Sequence, residues 1–348
     1  MRVTSCIVVV GMVVAGCADS SAQPPESSST LAVASTSGTT NVPVNATVTS
    51  SPAVTTALPA LEAVESLGAV EIVSRPFPDW VSLSADTAWV ANAEEGVARY
   101  DATTGSLVGS VPTGVAVCAA MDVAFDSLWV PDCDGEALVR VDLASGLITA
   151  TIDVGAIAEE SSVASTTDGV FVLIDAGATI VRIDPLTDTV AASVAAPVGA
   201  TAMRGAGDQL WVTSAQRGVL SSVDPVDGTV RNDVAVGRGA SFLAVGEGSA
   251  WTLDSGDGTV TRVDLATGTV VATIDVATVP IQGGDMAFGG GSAWARVSDA
   301  LVVEIDPTTN TAVRRIGVPE GSGSVAAADD AVWITAHDVV RVYRVPLG

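Results

Sequence analysis

An internal repeat of about forty residues constrains this chain more than any other feature of it. An aromatic residue followed by a small, β-favouring run recurs seven times: Trp89-Val90, Trp129-Val130, Phe171-Val172, Trp211-Val212, Trp251-Thr252, Trp294-Ala295 and Trp333-Ile334. Successive markers are 40, 42, 40, 40, 43 and 39 residues apart. A second marker runs in phase: Asp101, Asp142, Asp184, Asp224, Asp264 and Asp306 each end an alternating segment and open a turn. Asp bonds nearby backbone N–H groups, Pro pre-sets φ, and a closing Gly, Asp or Asn tolerates positive φ, as in Asp224-Pro225-Val226-Asp227-Gly228. One unit reads in full as four strands: 241–245, 250–253, 259–264 and 269–276. Its alternation, as in Thr259-Val260-Thr261-Arg262-Val263-Asp264, is what a sheet packed between neighbours requires. Four strands at a period near forty predict an all-β, seven-bladed β-propeller.

The repeat also predicts how the ring closes. The last unit, Val325 to Gly348, holds only three strands. The first is preceded by an extra strand-like run, Ala69 to Val73, which supplies the missing outer strand of the last blade and leaves no open edge. A Trp once per blade at one phase reads as inter-blade packing, and the repeated Asp as a turn cap.

Charge and chemistry exclude several functions. The 348 residues carry 40 acids against 15 bases, a net charge of −25, and every base is Arg. A Schiff-base lysine and a P-loop lysine are therefore absent, and the acidic balance argues against nucleic acid as a partner. The charge serves solubility and leaves a cationic partner open. A closed ring needs no partner for stability, so a monomer is expected.

The chain begins Met1-Arg2, runs apolar from Cys6 to Val14, and reads Val14-Ala15-Gly16-Cys17. This is an export signal, too short to span a bilayer. Val-Ala-Gly-Cys resembles the bacterial lipobox, which implies cleavage before Cys17 and lipidation of its sulfur. The expected organisation is a lipoprotein signal peptide over 1–16, a lipidated Cys17 with a disordered Ser/Thr/Ala/Pro-rich tether over 17–65, and the propeller over 66–348. The expected location is the extracytoplasmic face of the cell membrane, held through the lipid anchor.

Leu210-Trp211-Val212-Thr213, Val223-Asp224-Pro225-Val226-Asp227-Gly228-Thr229-Val230 and Val234-Ala235-Val236-Gly237 resemble the YVTN-type propeller repeat, and residues 69–348 resemble streptogramin-lyase-like propellers. That resemblance implies a magnesium ion held at the channel mouth with two His and a Glu. This chain has a single His, His337, in Thr335-Ala336-His337-Asp338, where a turn or surface residue is expected, and the two-His set cannot be built. Neither a metal nor another cofactor is therefore predicted.

Cys118 and Cys133 flank one hairpin near register and are expected to form a disulfide in an exported protein, with two free thiols or a metal site as alternatives. The loop of about 15 residues gives a chain-entropy gain of roughly 3 kcal/mol. Asp254-Ser255-Gly256-Asp257-Gly258 and Asp132-Cys133-Asp134-Gly135-Glu136 resemble calcium loops but lack the full pattern, and Asp-Gly hairpins explain both. With one His, no Ser-His-Asp set can be argued from sequence. Loops from an outer strand to the next inner strand converge on one mouth, and those that break the repeat carry Phe77, Trp80, Glu159, Glu160, Arg204, Arg238, Gln282, Asp285 and Glu320. Trp80, Arg204, Arg238 and Asp285 are the chosen ligand-binding candidates, as a stacking face, two guanidinium forks and a carboxylate. These features favour a ligand-binding or protein-interaction module without a catalytic role, its ligand a small molecule, a protein or a wall polymer. The alternative is a propeller enzyme (a lyase, lactonase or quinone-linked oxidoreductase) working at the channel mouth.

Overall fold

Alternating apolar strands with Asp-capped turns fold into seven sheets in this computed structural model, which describes residues 57–74, 77–92, 96–114 and 117–348. Cys17, the export signal and the first part of the tether lie outside the described residues. Blades 1 to 7 are numbered in chain order. Blade 5 shows the plan: Ala240–Gly246 is innermost, followed outward by Ser249–Asp254, Thr259–Asp264 and Thr269–Asp275, each antiparallel to the last. The second strand of each blade is the most deeply buried, and the marker aromatic lies on it. Trp89, Trp129, Phe171, Trp251 and Trp294 are wholly inaccessible, and Trp211 and Trp333 nearly so. The recurrent Trp is therefore core, as its phase requires.

The recurrent Asp caps its hairpin. The Asp101 carboxylate accepts the N–H groups of Thr103 and Thr104, Asp142 that of Ser145, and Asp264 that of Thr267. The hydroxyls of Ser145, Thr267 and Thr104 donate to the same carboxylates, and with the N–H bonds they hold Asp142, Asp264 and Asp101 below the usual carboxylate range.

Closure follows the expected plan and goes beyond it. Val70–Val73 pairs antiparallel with Arg341–Pro346 as the outer strand of blade 7. The folded region begins before the boundary expected at residue 66, because Leu61–Glu62 pairs in parallel with Arg315 and Ile316 as a fifth strand on blade 6. Glu62 also faces Arg314 at 3.5 Å. Two residues give no periodicity, so this strand has no sequence signature. The N-terminal segment thus bridges the last two blades.

Candidate functional site

Register across the innermost strands shows where the blades stop being equivalent. The residue paired with each marker aromatic is Ser82, Ala164, Ala244, Ala287 or Ala326 in five blades, but Asp122 in blade 2 and Arg204 in blade 4. Two residues earlier the sequence reads Ala120, Ser162, Ala202 and Ser324 in four blades, but Trp80, Phe242 and Asp285 in blades 1, 5 and 6. Small side chains suit strands crowded around an axis, so five larger or charged exceptions there are single-copy features laid on a repeated frame.

The axis carries two cavities. One, of about 690 Å³, opens at the face where outer strands return to inner ones. Ile157, Ala158, Ala200, Phe242 and Ile281 give it an apolar lining, with the exposed Glu159 and Glu160 at its edge. Cys118 and Cys133 form the expected disulfide, with Cα atoms 6.0 Å apart, and it braces this wall. The Cys118 carbonyl accepts the Glu160 N–H at 2.8 Å. Below Phe242 the lining changes. Trp80 and Phe242, from blades 1 and 5, meet across the axis with ring centroids 6.2 Å apart. The Trp80 Nε1–H is buried without an acceptor among the described residues.

The second cavity, of about 310 Å³, is lined by the innermost strands of six blades and holds Asp122, Arg204 and Asp285. Asp285 is buried and accepts from Ser324 Oγ at 2.6 Å and from the N–H groups of Met286 and Val325 at 2.8 and 3.2 Å. Burial pushes Asp122 and Asp285 above the usual carboxylate range, while the Arg204 guanidinium opposes this in both. The hydrogen bond that Arg204 makes among the described residues goes to the Met203 carbonyl at 3.1 Å.

Around the mouth a further group comes together. His337 sits in a turn, as expected, but is only 28% exposed. Its Nδ1 lies 3.7 Å from Asp79 Oδ1, and its Nε2 lies 2.8 Å from both Ser322 Oγ and Asp338 Oδ1. Burial raises the Asp79 carboxyl, with His337 opposing that shift. Partial loss of hydration raises Glu160, and the Asp79 charge adds to it.

The four sequence candidates separate accordingly. Trp80 and Asp285 lie buried on the axis, and Arg204 joins Asp285 in the lower cavity rather than at the mouth. Arg238 is exposed and committed to its own blade, its Nε 2.7 Å from Asp257 Oδ1 and its N–H donating to Asp257 Oδ2. Sequence reasoning missed Phe242, Asp122, Asp79 and Ser322. The first two break the inner-strand rule and could have been found by aligning the repeats. Asp79 lies at the irregular start of the first strand of blade 1, where the register shifts between Pro78 and Val81, and Ser322 lies in a loop; neither carries such a signal.

Among the described residues no three His, Cys, Asp or Glu side chains come together as a metal-binding set. The sequence matches no protein-family model and no curated protein. Solved structures are similar in fold. A virginiamycin B lyase from Staphylococcus aureus is 12% identical with a TM-score of 0.66, over 80% of this chain and 99% of that one. A streptogramin B lyase is 15% identical with a TM-score of 0.65, over 79% and 96%. The WD40 repeats of RRP9 are 9% identical with a TM-score of 0.65, over 80% and 97%. Enzymes and WD40 repeats match equally well, so these likenesses speak to the ring alone.

Proposed function

We propose that this chain is a lipid-anchored, extracytoplasmic binding module that takes a small, largely apolar ligand carrying a cationic group in the mouth cavity. The cavity itself carries this reading. Its volume of about 690 Å³ falls within the few-hundred to thousand Å³ typical of small-molecule sites. Apolar walls with few polar groups favour a hydrophobic body, and Glu159 and Glu160 favour a positive end over a negative one. The anchor rests on the Val14-Ala15-Gly16-Cys17 motif.

Matched alkyl and aryl amines and carboxylates, compared by thermal shift and calorimetry on the purified protein, test the ligand class. Amines should raise the melting temperature and carboxylates should not. Glu160→Gln should weaken amine binding by roughly two- to fivefold, the range expected for one exposed charge pair. Equal binding of both series, or of neither, would sink the reading.

A further inference from the structure

The contact between Ser322 and His337 has the form of an activated nucleophile. We propose that Ser322, His337 and Asp79 act as nucleophile, general base and orienting carboxylate in hydrolysis of a neutral or cationic carboxylic ester held at the propeller mouth. Ser322 Oγ lies 2.8 Å from His337 Nε2, and Asp79 Oδ1 lies 3.7 Å from Nδ1 on the other side of the ring. That is the order of roles that recurs on unrelated folds, and the longer carboxylate contact is of a kind that tightens when substrate excludes water. Asp338 also approaches Nε2, but it makes no ring hydrogen bond there, and its Oδ2 accepts the Ser322 N–H at 3.1 Å. Its part is to seat the loop.

Two features hold Ser322 against His337. The first is the pair of glycines around it. A Cβ on Gly321 would lie 1.8 Å from Asp338 Oδ2, and one on Gly323 would lie 2.1 Å from the Thr335 carbonyl oxygen. Both also have positive φ, at 71° and 157°. No other residue lets this loop lie so close to the turn that carries His337. The second is Arg296, which is fully buried. Its Nη2 donates to the carbonyls of Gly321 and Glu320 at 3.0 and 3.4 Å, and its Nε donates to that of Thr335 at 3.3 Å. One guanidinium therefore ties the segment before Ser322 to the strand that leads into His337. Burial lowers it to about 10, so it remains charged at neutral pH. A buried cation spent wholly on backbone carbonyls is costly unless the geometry it fixes is needed.

The site adjoins the mouth cavity. Gly283 lines that cavity, and a Cβ there would lie 2.4 Å from Ser322 Cβ. In the reaction, Ser322 Oγ bonds to the ester carbonyl carbon as its proton passes to Nε2. The tetrahedral intermediate then breaks its bond to the alcohol, which leaves with that proton. Water attacks the acyl-serine, gives a proton to Nε2, and releases the acid as Oγ recovers the proton. No oxidant, reductant or metal enters the balance. The acids around the mouth, Glu159, Glu160, Asp79 and Asp338, disfavour an anionic substrate.

The substrate class rests on the mouth cavity as the ligand site, whereas the nucleophile does not. A fluorophosphonate bearing a neutral alkyl chain therefore tests Ser322 directly, by mass spectrometry of the purified protein. The expected result is one covalent adduct on Ser322, with labelling at least 100-fold slower in His337→Gln and at least tenfold slower in Asp79→Asn. Hydrolysis of p-nitrophenyl butyrate should fall by the same factors, and melting temperatures should show the variants folded. Absence of an adduct on the folded wild-type protein, or labelling unaffected by His337→Gln, would reduce the Ser322–His337 bond to a staple between loops. Amine binding measured on Ser322→Ala stays independent of that outcome.

Discussion

Asp254 shows how much a single buried carboxyl can cost this ring. It is fully inaccessible, at the end of the second strand of blade 5, and is met by the hydroxyls of Thr252, Thr261 and Thr259 at 2.8, 2.5 and 3.3 Å. Among the described residues it makes no ion pair, and burial raises it to about 6. A carboxyl raised in the folded state contributes stability below its unfolded value, and that contribution fades as pH climbs through the folded one. Its window therefore runs from about pH 4 to about pH 6. Asp254→Asn removes the charge and keeps the shape. Urea unfolding at pH 4.5 and pH 8 should show the variant gaining on the wild type by about 2 kcal/mol between the two. An unchanged difference would mean that Asp254 ionises in the fold as easily as in the unfolded chain.

The blade is the element of this protein, and it repeats an Arg at one phase of its third strand. On the third strand, the residue paired with the marker aromatic is Arg99, Arg140, Arg182, Arg262 or Arg344 in five blades, and Ser222 or Glu304 in the other two. Arg99, Arg140 and Arg262 lie over their Trp rings at 4.9, 5.0 and 4.7 Å. Arg140 then reaches into blade 3, to the Pro185 carbonyl at 2.6 Å and Asp188 at 2.7 Å. Arg262 reaches Pro307 and Asn310 of blade 6, and Arg344 reaches Ala102 of blade 1 across the closure. A planar fork can stack and donate twice at once, which an ammonium cannot. Arg140→Lys should therefore lower stability by about 1–3 kcal/mol, and an equal loss on Arg140→Ala would show that the charge alone contributes nothing. This division marks what the sequence discloses. Strands, turns and the marker aromatic recur in every unit because each blade must solve the same packing problem, so the repeat displays them, and a last unit one strand short displays the closure. Asp79, Ser322 and His337 occur once each, on the first strand of blade 1, in a loop and in a turn that come together only when blade 7 closes on blade 1, and local pattern carries no trace of their meeting. Trp80 and Asp285 could be picked out because they break the repeat, but the sequence put them in loops at the mouth, whereas they lie buried on the innermost strands.

For the whole molecule, the arrangement of acids sets the pH at which the ring is most stable. Asp79, Asp122, Glu160, Asp254 and Asp285 gather around the axis and its mouth, and loss of hydration raises all five. The hairpin caps Asp101, Asp142, Asp224, Asp264 and Asp306 lie on the outside, and hydrogen bonds lower them. The two sets act with opposite sign. Lowered groups contribute stability above the unfolded carboxylate value near pH 4 and lose it in stronger acid. Raised groups contribute below that value and lose it as pH rises through their folded values, which for Asp254 is about 6. Stability should therefore peak at about pH 4–5 and decline toward neutrality. The net charge of −25 adds self-repulsion on the same side of that maximum. Calorimetry from pH 3 to pH 8 should find the melting temperature highest at about pH 4–5 and several degrees lower at pH 8. Salt at about 0.5 M should recover the part of that loss due to surface repulsion, and it should leave the buried part, which Asp254→Asn reduces. A melting temperature that rises steadily from pH 5 to pH 8 would mean that the acids around the axis are better paired or hydrated than their burial implies.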